Sequence, residues 1–172
     1  MATGGRGPGD DFWYSPIDTL TTAGVRVGSD SALRVSTVWA CVSLLSDTMA
    51  SLPLWVYQRR GDDQRERDNQ HPISRLLHTR PNNSMTAVEF RGMLSAHELL
   101  TGNGYAVKQF GAGSRRYPEQ LIPIPPANVT LQRLADGALR YGIRDNRGNT
   151  TYYLADEMLH VRGLTLDGVT GV

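Results

Sequence analysis

The sequence predicts an α+β fold, with N-terminal helices followed by an antiparallel β meander. Three observations carry this. Before residue 101, apolar side chains recur at spacings of three and four. The stretch Gly102-Asn-Gly104 then breaks that pattern. Beyond it, short runs of alternating apolar residues are separated by turn signals such as Ala135-Asp-Gly137 and "RDNRGN" at 144–149.

The chain has 172 residues, enough for one domain with a sizeable core. Hydrophobic residues make up 40% and charged residues 20%, with a formal net charge of +1. This is the balance of a globular protein and lacks a basic footprint for gripping nucleic acid. The single cysteine, Cys41, rules out an intrachain disulfide. It lies in the apolar run "VWACV" and reads as a buried small hydrophobe. The opening "MATGGRGPGDDFWYS" holds no apolar signal region, and no stretch approaches the ~18 apolar residues of a membrane span. The expectation is synthesis in the cytoplasm, no membrane association, and no use of the Asn-x-Ser/Thr triplets as glycosylation sites.

Element by element, residues 1–30 are rich in Gly, Asp, Ser and Thr and read as an extended or flexible arm. The aromatic island Phe12-Trp13-Tyr14 in this arm would dock on its own domain or on a neighbour, since free exposure of three adjacent aromatics is unfavourable. A single α+β domain is expected over 31–172. Residues 31–52 predict a helix whose apolar face is Val35, Val38, Val42, Leu45, Met49 and Leu52. Pro53 stops it. Residues 54–58 read as a strand, and "RRGDDQRERDNQ" at 59–70 as a solvated hairpin tip or loop. Asp62 and Asp63 have no third ligand at suitable spacing, which disfavours a metal site there. Pro72 opens a short helix over 72–79. Thr86-Ala-Val-Glu89 forms a capping box for a helix running to about Thr101, with Phe90, Met93, Leu94, His97 and Leu100 on one face. Strands are then predicted at 105–110, 119–122, 129–133, 139–143, 151–154 and 158–162.

Local motifs for chemistry are missing. His97-Glu-Leu-Leu-Thr101 begins like a zinc-protease helix, but the second histidine is replaced by Thr101. His97 and His160 each read as structural histidines on apolar elements. No Gly-x-Ser-x-Gly elbow, phosphate-binding Lys-Ser/Thr loop or Cys-x-x-Cys pair occurs. The glycines of "LLTGNGYAVK" at 99–108 end a helix, where carbonyls and the negative dipole end repel phosphate. Gly102 fits the left-handed position after the last helical residue, and Gly104 would let the backbone turn into the strand. No catalytic group, metal or cofactor is expected.

The order of several stretches resembles the portal protein family of tailed double-stranded DNA phages. These are "STVWACVSLLSDTMASLPLWVYQR", "HPISRLLHTRPNNSMTAVEFRGMLSAHELLTGNGYAVK", "LIPIPPANVTL" and "LHVRGLTLDGVTG", together covering roughly residues 35–172. The shared features are an A-C-V-S helix ending in S-L-P, the "HP…LL…RPN" segment, a G-N-x-Y turn, "L.P..P..V" and "LHVRG…DG..G". The G-N-x-Y turn is Gly102, Asn103, Gly104 and Tyr105.

The resemblance implies a non-enzymatic structural protein. Portal proteins form a dodecameric ring at one capsid vertex, through which DNA is packaged by a separate terminase and later ejected. Their partners are further copies of themselves, the major capsid protein, terminase, head-completion connector proteins and double-stranded DNA passing without sequence preference. The location implied is the portal vertex of the virion, after assembly in the host cytoplasm. Related sequences occur in prophages and gene-transfer particles. The resemblance covers the N-terminal, wing-forming portion, and in the family the channel-lining helices and clip lie further downstream. An alternative is a prophage-derived capsid- or host-interaction module with no part in DNA translocation. Phe12, Trp13, Tyr14, Trp39 and Trp55 are candidate interface residues, because aromatics dominate such contacts.

Overall fold

A computed structural model describes residues 19–20, 26–27, 32–61, 64–111 and 116–171. Among the described residues, three α-helices and two three-stranded sheets stack in layers. Helix α1 (Ser36–Ser51) lies outermost, α3 (Ala87–Thr101) lies beneath it, and α2 (Pro72–His78) is joined to the pair. Two short antiparallel pairs stand apart from these sheets. They are β1 (Thr19–Leu20) with β2 (Arg26–Val27), and β3 (Tyr57–Arg60) with β4 (Gln64–Arg67).

The remaining strands are β5 (Asn103–Gln109), β6 (Gln120–Ile124), β7 (Val129–Arg133), β8 (Leu139–Arg144), β9 (Thr150–Leu154) and β10 (Met158–Arg162). All pairings are antiparallel. Spatial order departs from chain order at one place. Strands β7, β8 and β9 form a meander of their own, and β10 returns to pair with β5, giving the order β10-β5-β6.

Strand periodicity assigns the two faces of the β10-β5-β6 sheet. Ala106, Leu121 and Leu159 point toward the helices, where they meet Leu76, Phe90 and Leu94. Tyr105, Val107, Ile124 and Met158 point the other way, toward Leu131, Tyr141 and Val169. One sheet is thus the shared wall of two apolar cores.

The local signals behave as their chemistry dictates. Thr86 and Glu89 make the reciprocal capping box. The two bonds to Thr86, backbone first and then hydroxyl, hold the Glu89 carboxyl below its ordinary pKa. Asp136 and Gly137 turn β7 into β8, with Gly137 at φ +85°. Helix α1 begins later than periodicity predicts, at Ser36, and its N-cap Val35 makes no side-chain capping bond.

The segment "RPNNS" at 80–84 is more than a chain break. Pro81 is fully buried and its carbonyl accepts from the Leu121 amide at 2.8 Å. Asn82, 3% exposed, donates to the Leu121 carbonyl. Its Oδ1 accepts from the amides of Ser84 and Met85 and from the Ser84 hydroxyl. A buried amide satisfied on both ends bolts the helical layer to β6.

Candidate functional site

The outermost helix is turned unexpectedly. The apolar stripe of α1 does not face the chain's own core. Its two buried residues are Ser46 and Ala50, which lie roughly a quarter-turn around the helix from the stripe. They face α3, where the Cβ built on Gly92 would sit 3.5 Å from that of Ala50. Small residues allow two helices to approach closely, and bulkier neighbours are displaced to the flank. The Ser46 hydroxyl brings no unmet need into the seam, because it donates to the Val42 carbonyl at 2.7 Å. Arg91 completes the joint. Its Nε and Nη2 donate to the Ala50 carbonyl at 3.2 and 2.8 Å, and Nη1 donates to the Leu77 carbonyl at 2.9 Å.

Most of the displaced stripe is open: Met49 and Leu52 are 54% exposed and Leu45 50%, while Val38 and Val42 are half-buried. Trp39, 59% exposed, lies not on the stripe but in line with Ser46 and Ala50, toward the N-terminal end of the helix. Asp47 is the only charged residue on α1. Val88 and Leu99 share the face of α3 that bears Gly92, and both are exposed. Apolar groups therefore line the α1–α3 seam on its solvent side. The expectation of a buried Cys41 is overturned for the same reason. Cys41 is exposed, because the side of α1 that carries it is not covered by the chain.

Trp39 and Trp55 have different surroundings. Trp55 is half-buried between the Arg67 guanidinium and the His78 ring, whose centroid is 3.4 Å away. Trp39 projects from the open helix. Phe12, Trp13 and Tyr14 lie outside the described residues.

The G-N-x-Y turn stands at the C-terminal end of α3, as its polarity requires. Gly102 is the left-handed cap at φ +71°, and its amide donates to the Glu98 carbonyl at 2.7 Å. Gly104 has a different purpose from the turn expected of it. It already lies in β5, and an added Cβ would come within 2.9 Å of the Leu94 carbonyl oxygen. The glycine permits α3 to press onto the strand.

Asn103 is the centre of a junction that local sequence does not reveal. Its Nδ2 donates to the carbonyls of Thr101 and Gly171, at 2.9 and 3.0 Å. Its Oδ1 accepts from the Gly171 amide at 2.8 Å and from His160 Nε2 at 2.9 Å. That contact places the histidine proton on Nε2, leaving Nδ1 to accept from the Tyr141 hydroxyl at 3.3 Å. The Tyr105 ring lies 4.4 Å from the His160 ring. Burial first, and then the charge of Arg162, lower the His160 pKa to about 4. Burial raises both tyrosine hydroxyls. A neutral histidine thus fixes the turn, β8, β10 and the loop at 163–171 to one another.

His97 sits on α3 with Nδ1 buried and unpartnered among the described residues, and burial lowers its pKa. Thr101, which replaces the second histidine of a zinc helix, donates its hydroxyl to the His97 carbonyl at 2.8 Å. Two surface hollows of about 410 Å³ each flank α2 and β6. Neither includes His160, Tyr105 or Tyr141. His97, His160, Tyr105 and Tyr141 are packed into the fold and line neither hollow.

Comparison with known proteins matches residues 36–172 to a family described as "Phage portal protein". The portal protein of Enterobacteria phage HK97 is 32% identical over 148 residues, covering 85% of this chain and 34% of that protein. A chain in the neck of an empty gene transfer agent particle, solved with C6 symmetry, superposes with a TM-score of 0.68 at 20% identity. The match covers 88% of this chain and 43% of that one. A neck chain of the native particle, solved with C12 symmetry, gives a TM-score of 0.64 at 19% identity, over 84% of this chain and 38% of that one. The present chain therefore spans about a third of the HK97 protein and about two fifths of the neck chains.

Proposed function

This chain belongs to the phage portal protein family, and from that premise we propose that it supplies the wing-forming part of a portal ring. The ring stands at one vertex of a capsid and conducts double-stranded DNA inward during packaging and outward during ejection. The observation that carries the reading is the family match across residues 36–172, which includes every layer of the fold from α1 to β10. The shared fold with neck chains of a gene transfer agent supports it.

In this reading residues 31–172 form the α+β wing body and residues 1–30 an arm. The role is structural rather than enzymatic and needs no cofactor. Partners are other copies of the chain in a dodecamer, the major capsid protein, terminase and the head-completion connector. DNA contact is non-specific, and the formal charge of +1 suits a wing that lets DNA pass without gripping it. The protein's place is the virion vertex, reached after assembly in the host cytoplasm. Phe12, Trp13, Tyr14 and Trp39 serve contacts between subunits. Trp55 is the weakest of these candidates, since Arg67 and His78 already flank it.

Electron microscopy of the intact gene product, produced with its capsid and scaffold proteins, tests this reading. Rings at a single capsid vertex are expected. A product that stays monomeric in their presence sinks it.

A further inference from the structure

We propose that the outer side of the β7-β8-β9 sheet, with the free edge of β9, is a docking surface for an extended acidic segment of a different protein.

The register separates the two sides of this sheet. Leu131, Tyr141 and Tyr153 point into the apolar core. Gln132, Arg140, Arg144 and Tyr152 therefore point outward, and there Arg140 is locked in place. Its Nε and Nη2 donate to Gln132 Oε1 at 3.2 and 2.7 Å, and its guanidinium lies 4.3 Å from the centre of the Tyr152 ring. Tyr152 is held in turn against Gly142, where an added Cβ would meet its Cε1 at 3.2 Å. These neighbours are all neutral. No carboxylate among the described residues pairs with Arg140, and its Nη1 keeps both protons uncommitted. Asp136 and Asp145, in the flanking turns, bond the amides of those turns. The result is a half-buried cation, already ordered, whose Nη1–Nη2 edge fits a carboxylate.

The edge of β9 is a separate observation. The Asp145 amide donates to the Asn149 carbonyl at 2.9 Å, which makes these residues a hydrogen-bonded pair. Alternation along the ladder then turns the peptide groups of Thr150, Tyr152 and Leu154 away from β8. Glu157 takes the Leu154 amide at 3.1 Å. The amides of Thr150 and Tyr152 have no partner among the described residues. The strand carries no charge, proline or bulge, the devices that blunt an edge. An extended segment can add there as a further strand, with alternate side chains on the side where Arg140 stands.

Nucleic acid fits this surface less well. The Tyr152 ring is occupied by Arg140 and wedged against Gly142, so it is not offered to a base. A duplex is held through many phosphates, and the outer side of these strands holds only Arg140 and Arg144. A second copy brings no acid on β7, β8 or β9. The inference stands on these strands and not on the portal reading. The segment can bind whether or not rings form, and rings can form without it.

Fluorescence anisotropy of the full chain with a labelled ten-residue peptide of alternating Thr and Glu provides the test. Saturable binding is expected, weakening as salt rises. Arg140→Gln should raise the dissociation constant at least about 10-fold, and Arg140→Lys should recover only part of the loss, because an ammonium lacks the planar fork. Arg133→Gln is the control. Arg133 is exposed on the opposite side of the sheet, so binding should be unchanged. Far-UV circular dichroism should report an intact fold for all three variants. The same peptide N-methylated at alternate residues keeps its charge but loses ladder donors. It should bind the unaltered chain at least about 10-fold more weakly. No saturation by about 1 mM peptide overturns the proposal. Binding that survives Arg140→Gln or N-methylation overturns it too, as does binding that Arg133→Gln weakens equally. A single-stranded oligonucleotide that displaces the peptide at equal concentration would make this a phosphate surface and overturn it. Self-association of the chain that Arg140→Gln abolishes would do the same.

Discussion

Asn103 accepts two hydrogen bonds and donates two, and its partners come from the helix end, β10 and the loop at 163–171. Removing its amide strands the Gly171 peptide and the His160 ring in a partly buried site. Asn103→Ala should therefore cost about 2–3 kcal/mol, read from the midpoint of urea unfolding. His160 adds a pH dependence whose sign follows from its depressed pKa. The folded state holds it neutral down to about pH 4, while the unfolded chain protonates near 6.5. The contribution to stability is thus complete above about pH 6.5 and is lost as pH falls toward 4. His160→Gln should flatten the stability profile across that window, leaving the smaller slope due to His97, whose pKa is also lowered. An unchanged profile would show that the ring does not titrate with folding. At Gly102, φ of +71° makes a β-branched substitution costly by ~1–2 kcal/mol, and Gly102→Asn should cost less than Gly102→Val.

Among the elements, the α1–α3 pair decides between two opposed effects at Gly92. Glycine inside a helix is worth up to ~1 kcal/mol less than alanine. Against this stands the tight seam, yet the methyl of Gly92→Ala would sit at an ordinary contact distance of 3.5 Å from Ala50. Propensity wins, and Gly92→Ala should raise the melting temperature. Gly92→Leu should lower it, because the seam has no room for a larger side chain. The same pair marks where sequence reasoning reaches its limit. Periodicity correctly gathers Val38, Leu45, Met49 and Leu52 on one side of α1, but it cannot say whether that side meets the chain itself or something outside. The decisive information lies in Gly92 and Ala50, which are 42 positions apart (92 − 50) and become neighbours only in the folded chain. By contrast, the capping box at Thr86, the cap at Gly102 and the hairpin at Gly137 were legible because each is complete within a few consecutive residues. The Asn103–Gly171 and Asn82–Leu121 clasps are distant pairings and were invisible for the same reason as the seam.

For the whole molecule, the β10-β5-β6 sheet is the element on which the rest depends. Ala106 and Tyr105 are adjacent in β5 yet serve opposite cores, the first 0% and the second 6% exposed. A strand cannot lose one face and keep the other, because the ladder hydrogen bonds that position both are the same bonds. The Asn82 clasp and the Asn103 junction reinforce this from either side of the sheet. The two cores should therefore unfold as one cooperative unit, although they share no side chain. Leu94→Ala on the helical side and Leu131→Ala on the sheet side should each cost about 2–5 kcal/mol and shift one common transition. Native-state hydrogen exchange can separate the alternatives. If the unit is single, Leu131→Ala lowers protection in α3 as much as in β8. Selective loss in β7, β8 and β9, with α3 protection intact, would mean that the outer sheet is a separate cooperative unit. Strain on one layer reaches the others only if the unit is single, because the β10-β5-β6 ladder is the wall that both cores share.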